Sequence, residues 1–256
     1  NHATQQRNVL YYGLSADQTT VHKSHQDSEN VFVAWKDGHR SRYPLQWLID
    51  NSHPGTPPKT PKFLWRASEL EGVGVPRVAF DSLVGDKDGA LKTLLESLVK
   101  YGIGLVDGAP ASMDGTQQAV EKVCFVQETL FGKMWGFTAD LSRGDTAYTN
   151  IALGAHTDTT YLSCPAGIQV FHCLHHDGTG GETLLVDGFR AAEDLRAESP
   201  SSFDLLTKER IHHRYIEPDH FVESLDSVLK VDPASKELEM LRYNHYDRSP
   251  IRTIPQ

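Results

Sequence analysis

Residues 142–188 read SRGDTAYTNIALGAHTDTTYLSCPAGIQVFHCLHHDGTGGETLLVDG. Two strand-like runs, Gly167–Leu174 and Gly181–Gly188, flank the tight turn Gly178-Thr179-Gly180-Gly181, and the pair His156/Asp158 stands just before them. Residues i and i+2 of an extended chain point to one face, so an imidazole and a carboxylate fall side by side. One His and one carboxylate are two-thirds of the 2-His-1-carboxylate triad that holds non-haem Fe(II) and keeps open positions for substrate and oxygen. A distant third ligand must come from elsewhere.

Working outward, the chain has 256 residues, of which 39% are hydrophobic and 23% charged, an ordinary globular composition with one large core and room for a small module. Its net charge of −9 argues against a nucleic-acid surface, which needs a basic patch. No apolar run is long enough to span a bilayer, so no membrane partner is expected. Cys124, Cys164 and Cys173 form no CxxC pair and no even framework, which points to a reducing compartment without a disulfide scaffold. The first residue is Asn, with neither a signal-peptide core nor an Arg/Ser-rich transit helix behind it.

Residues 1–52 are short and β-like. Val31–Trp35, a Lys36-Asp37-Gly38 turn and Arg40–Tyr43 predict a hairpin, closed by a short helix at Leu45–Asp50. The run HPGTPPKTPK, residues 53–62, has four prolines and a glycine and is the expected linker. A second domain then covers 63–256. Leu91, Leu94, Leu95 and Leu98 follow i, i+3, i+4, i+7 and predict a helix over 87–101. A buried strand is expected at 102–106 and a helix at 114–133, with Val120, Val123, Cys124, Gln127 and Phe131 on one stripe. Strands are expected at 152–162, 167–174 and 182–186, helices at 188–197 and 201–207, and a hairpin of 227–231 with 238–243. Helices followed by antiparallel strands make the fold α+β, with a sandwich or jelly-roll core, flanking helices and a small N-terminal β module.

His-x-Asp alone decides nothing. It occurs four times (His25/Asp27, His156/Asp158, His175/Asp177, His245/Asp247), and thirteen histidines give roughly one such match by chance. Context separates them. His25 lies in a polar run and His175 at a Gly-rich turn, where solvated side chains are the simpler reading, and His245/Asp247 ends an expected strand. Only His156/Asp158 leads into strand, glycine turn and strand. On pattern alone, a hydrogen-bonded structural pair and a metal site both stay open.

The blocks GAHTDTTY, GIQVFHCL, GTGGETLLVDGF and RYNHYDR resemble the trimethyllysine and γ-butyrobetaine dioxygenase family, and most of all its trimethyllysine-hydroxylating members. The resemblance runs from the hairpin at Trp35 to the last residue. It implies a double-stranded β-helix, with Fe(II) as metal, 2-oxoglutarate as co-substrate and ascorbate as accessory. Carried over by position, His156 and Asp158 become iron ligands, and Thr183 matches a position that contacts 2-oxoglutarate. The family's third His and an Arg for the 2-oxoglutarate carboxylate lie in a block downstream of RYNHYDR. That block is absent between Tyr243 and Gln256, so the chain is expected to lack its C-terminal strands. His172, His212, His213 and His220 stand in no matching context.

The resemblance also implies a quaternary ammonium substrate, a cation without donors that aromatic faces can hold. Trp135, Tyr148 and Tyr161 match cage positions, with Phe131 nearby, although Trp135 and Phe131 also read as core residues of a helix. Asp145 resembles the acid for the α-ammonium and Asn244 a partner for the carboxylate, while a turn role for Asp145 after Gly144 remains open. His39 in WKDGH matches the His of a Cys₃His zinc module whose cysteines are absent here. The implied protein is a trimethyllysine hydroxylase, a homodimer being compatible, in mitochondria or alternatively the cytoplasm. γ-Butyrobetaine hydroxylation, or an inactive truncated paralogue that serves as a binding partner, are the other expectations.

Overall fold

The computed structural model describes residues 10–51, 61–140 and 146–251. The chain divides into two compact units, residues 1–59 and 60–256. The expected linker at 53–62 falls almost wholly outside the described residues.

In the first unit a one-turn helix, α1 (Ala16–Thr19), starts on a capping box in which Ser15 Oγ accepts from Gln18 N and Gln18 accepts from Ser15 N. Three strands follow as an antiparallel meander: β1 (Val21–Gln26), β2 (Asn30–Trp35) and β3 (Arg40–Pro44). The β2–β3 hairpin forms where the sequence predicts it. Gly38 takes φ +92° in the turn and donates its N–H to Trp35 O, a geometry that favours glycine. Trp35 Nε1–H donates to Ser41 Oγ at 2.9 Å across the pair. The polar run at His25 is itself a strand: His25 lies opposite Phe32, with rings stacked 4.7 Å apart. Helix α2 (Leu45–Asn51) closes the unit.

The second unit has two cores. In the first, after helix α3 (Ala67–Val73), parallel strands β4 (Arg77–Ala79) and β5 (Leu105–Asp107) meet helices α4 (Phe80–Val84), α5 (Ala90–Tyr101) and α6 (Met113–Val123). Val78, Leu83, Ala90 and Leu94 are buried at its centre, with Leu91, Leu98 and Val106 packed around them. The leucine spacing of α5 thus turns one face inward, as amphipathic periodicity requires. Helix α6 is shorter than the expected 114–133. It stops at Val123 because Cys124 is extended, and Phe125, 87% exposed, continues no stripe. Phe131 lies instead in a Thr129–Gly132 turn.

The second core joins α7 (Gly188–Glu198) and α8 (Pro200–Lys208) to two hairpins: β6 (Arg210–Glu217) with β7 (His220–Ser227), and β8 (Leu229–Val231) with β9 (Leu238–Leu241). Ala192, Phe203, Val228, Leu229 and Leu238 form its centre. A Cβ on Gly188 would collide with the Leu241 side chain, so only glycine lets α7 approach β9. The β8–β9 hairpin matches expectation; β6–β7, the longest pairing of the unit, was not foreseen.

The expected strands at 152–162, 167–174 and 182–186 do not form. This stretch is irregular or extended and unpaired, and no jelly-roll sandwich is assembled among the described residues. A strand exists only through a partner, and no described segment pairs with these runs. Their apolar side chains consequently stand in solvent, Phe171 and Leu184 among them. What was expected as a jelly-roll is therefore described only as mixed helix and sheet.

Asp187, at the end of GGETLLVDG, ties the two cores together. Its Oδ1 caps α7 by accepting from Phe189 N (2.9 Å) and Arg190 N (3.0 Å), while Oδ2 accepts from Trp65 N at 2.9 Å. Trp65 is buried and donates Nε1–H to Tyr101 O at the end of α5. Asp187→Ala is expected to destabilise the unit by about 1–3 kcal/mol, measured by urea denaturation. Asp187→Asn, which can still cap, should lose less.

Candidate metal centre

His156 and Asp158 lie on an irregular loop, so their placement depends on what grips that loop. The grip comes from residues 242–247. Thr157 N–H donates to Tyr243 O at 2.7 Å, and Tyr243 N–H donates back to Thr157 Oγ1 at 2.9 Å. Arg242, 3% exposed, directs Nη2 at Thr160 O (2.6 Å), Leu162 O (2.5 Å) and Ser224 Oγ (3.0 Å), and Nη1 at Asp226 Oδ2 (2.8 Å). Ser224 Oγ–H also donates to Thr160 O at 2.6 Å. The strap is anchored in turn to β6, because Arg214 N donates to Asp247 O and Ser249 N donates to His212 O.

Within the loop, His156 Nε2 and Asp158 Oδ1 stand 2.9 Å apart. His156 Nδ1 lies 2.7 Å from Gly154 O, and a carbonyl only accepts, so Nδ1 carries the hydrogen. That leaves the lone pair of a neutral Nε2 facing a carboxylate oxygen. Two acceptors at this distance require a cation between or beside them, either a proton on Nε2 or a metal ion. Two ligands about 2.1 Å from an octahedral ion, at a right angle, would be about 3 Å apart. The pair therefore fits as two neighbouring ligands of a divalent metal. Among the described residues no group of three or more His, Cys, Asp and Glu converges on a metal position.

The remaining expected site residues are distributed unevenly. Trp135, half-exposed, packs on Phe131 (5.3 Å between ring centroids), Phe131 meets Tyr215 edge-on (5.3 Å), and Tyr215 lies 5.0 Å from Tyr161. Trp135 and Tyr161 thus belong to one run of four rings. Tyr148 is buried and meets Phe137 at 6.1 Å. Asp145 lies outside the described residues. Thr183 is exposed on the unpaired run after Gly181, and no bond among the described residues joins it to His156 or Asp158. Asn244 is buried with its amide engaged in a turn: Nδ2 donates to Asp247 Oδ2 (2.8 Å), and Oδ1 accepts from Tyr246 N (2.8 Å). His39 is exposed in the β2–β3 turn, where its N–H donates to Asp37 Oδ1.

Sequence reasoning missed Arg242, Tyr215, Gln169 and Tyr246. Two had a signal. Arg242 follows Leu238 and Met240 at period 2 and so shares their inward face, and Gln169 is the polar interruption of an apolar run. Among the described histidines, His213 is the buried one, at 3% exposure. Burial first, then the positive charges of Arg242 and Arg248, lower its pKa. A neutral His213 in the folded state means that the unfolded chain binds the extra proton. Stability is thus full above the unfolded value near 6.5 and falls as pH drops through it toward the lower folded value. Thermal midpoints between pH 7.5 and 5.5 should fall more for the parent protein than for His213→Gln.

The model of the taurine catabolism dioxygenase TauD, TfdA family matches residues 60–252. Trimethyllysine dioxygenase of Bos taurus is 46% identical over 238 residues, covering 90% of this chain and 56% of the relative. The Homo sapiens protein of that name is 45% identical over 236 residues, with the same coverage. γ-Butyrobetaine dioxygenase of Pseudomonas sp. is 27% identical over 236 residues, covering 90% of this chain and 60% of the relative. The chain thus spans a little over half the length of these relatives.

Proposed function

We propose that this chain, which belongs to the taurine catabolism dioxygenase TauD, TfdA family, serves an Fe(II)/2-oxoglutarate dioxygenase that hydroxylates N6-trimethyllysine at C3 in carnitine biosynthesis. The observation that carries the reading is the His156 Nε2–Asp158 Oδ1 pair at 2.9 Å, with Nδ1–H held by Gly154 O. Trimethyllysine is preferred over γ-butyrobetaine as substrate because the relatives named for it are 45–46% identical, against 27% for the other.

In this reading His156 and Asp158 hold the iron, and Gly154 O fixes the imidazole tautomer that offers Nε2. When bound, the iron couples oxidative decarboxylation of 2-oxoglutarate to oxygen insertion at a C–H bond. Thr183 contacts 2-oxoglutarate. Trp135, Tyr148 and Tyr161 give the trimethylammonium group aromatic faces, which attract a cation that cannot hydrogen-bond. Asp145 receives the α-ammonium. Asn244 can reach a substrate carboxylate only by leaving the turn it now holds, so its role requires the strap to move. Ascorbate keeps the iron ferrous, the core completes a double-stranded β-helix, and His39 contributes to a zinc site in the N-terminal unit. A mitochondrial location follows the relatives named as mitochondrial, and homodimers are compatible.

A second reading is an inactive paralogue that binds partners. It is favoured by the lack of a three-ligand cluster among the described residues.

Turnover of 2-oxoglutarate with trimethyllysine and with γ-butyrobetaine separates these readings. Trimethyllysine should be hydroxylated, and His156→Ala or Asp158→Ala should each cost more than the roughly 10- to 100-fold typical of an outer partner. Turnover of γ-butyrobetaine alone moves the reading to the shorter substrate. Metal binding with no turnover of either selects the inactive paralogue.

A further inference from the structure

We propose that Gln169 and Tyr246 are positioning residues of the metal centre, Gln169 acting on Asp158 and Tyr246 on His156. The proposal rests on the metal reading of that pair and goes beyond it. No helix or strand fixes the backbone between residues 151 and 187, so the ligand side chains depend on bonds made to them individually.

Asp158 has two oxygens in different situations. Oδ1 faces His156 Nε2, while Oδ2 accepts a hydrogen bond from Gln169 Nε2, eleven residues further on. A carboxylate only accepts, so the amide nitrogen and not its oxygen must face Oδ2. The terminal torsion of Asp is broad and roughly two-fold, so an isolated carboxylate could present either oxygen or both. With Oδ2 tied to an amide donor, the carboxylate cannot turn freely and Oδ1 is the oxygen held toward His156 Nε2. The carboxylate becomes a ligand with fixed direction.

His156 is set by a two-step relay. Its Nδ1–H is held by Gly154 O, and the N–H of Gly154 donates to Tyr246 Oη at 2.8 Å. The Tyr246 ring also meets the imidazole edge-on, with centroids 5.7 Å apart. Tyr246 thus holds the residue whose carbonyl orients the imidazole, through the peptide that precedes it, and limits the space in which the ring can turn. It lies 92 residues from Gly154, on the strap that grips the loop. Each ligand therefore has one hydrogen-bonding support from a separate segment, the arrangement by which outer groups tune metal ligands.

The test measures Mn(II) affinity by calorimetry and electron paramagnetic resonance on the protein freed of metal, for the parent, Gln169→Leu, Gln169→Glu and Tyr246→Phe. Asp158→Ala serves as the control for the centre itself. Gln169→Leu removes the donor and Tyr246→Phe removes only the hydroxyl. Each should weaken Mn(II) binding about 10- to 100-fold while leaving the thermal midpoint of the metal-free protein unchanged. Gln169→Glu keeps the shape but sets a like charge against Oδ2, and should be the weakest binder of the three. Gln169→Leu and Tyr246→Phe binding within twofold of the parent, while Asp158→Ala does not, would overturn the positioning roles and leave the centre standing. A parent that binds no Mn(II), or an Asp158→Ala variant that binds as well as the parent, would overturn the centre and this proposal with it.

Discussion

The guanidinium of Arg242 is the interaction on which the rest of the second unit's chemistry depends. Burying a permanently charged group costs several kcal/mol unless it is paired, and here both terminal nitrogens are bonded while the buried Nε has no partner. The acceptors its side chain reaches belong to two different places: Thr160 O and Leu162 O on the loop that carries His156 and Asp158, Ser224 and Asp226 on β7. Its own N–H donates to Val228 O where β7 runs into β8. One side chain thus joins the hydrophobic core of α7, α8 and the hairpins to a loop that has no secondary structure of its own. Removing it would take a donor from the carbonyls of Thr160 and Leu162, and from Asp226, whose carboxylate is nearly half exposed and can turn to water.

That dependence explains what could be read from the sequence. Helices α5, α7 and α8 and the hairpins β2–β3 and β8–β9 were legible because each is a local pattern, whereas His156 and Asp158 were found by spacing but are placed by the residues that grip their loop. A leucine stripe, a glycine turn or an i, i+2 spacing carries its own geometry. The runs at 167–174 and 182–186 have strand-like composition as well, yet composition reports only that a segment suits a pleated surface. Pairing is a property of two segments, and GIQVFHCL and GETLLV have no described partner. Conversely, β6–β7 hides behind a polar sequence, RIHHRYIE followed by HFVESLDS, whose inward positions His213, Tyr215 and Ser224 are buried without being a hydrophobic alternation. The supports of the centre were illegible for the same reason. Arg242 and Tyr246 act over more than 70 residues, and Gln169 over eleven, and no motif spacing gives the partner of any of them.

The aromatic residues follow a related logic. Phe131 and Trp135 read as a continuation of α6, but the helix ends at Val123 and the chain turns at Thr129–Gly132. That turn frees Phe131 to meet Tyr215 of β6, and through it Tyr161, three residues after Asp158. Rings that a helix would have buried separately become one offset and edge-on series, each contact worth about 0.5–1.5 kcal/mol beyond its burial. The series runs from half-exposed Trp135 inward to buried Tyr161, so its outer ring is held by rings fixed at the inner end.

Thr159 shows how tightly the loop is held. It follows Asp158 directly, is β-branched, and has φ +56°, in the left-handed region. Such a conformation costs on the order of 1–3 kcal/mol and persists only where the surroundings over-determine it. They do so here. Thr159 Oγ1 accepts from Ala166 N, Thr159 O accepts from Leu162 N, and the carbonyls of Thr160 and Leu162 are both captured by Arg242. The turn at Thr159 redirects the chain immediately after the carboxylate, so Asp158 projects while Thr160 is buried beside it. Strain at this residue and the buried arginine are therefore two halves of one arrangement. The arginine supplies the binding that the left-handed turn consumes, and the turn lets a loop without strand partners hold His156 Nε2 and Asp158 Oδ1 2.9 Å apart.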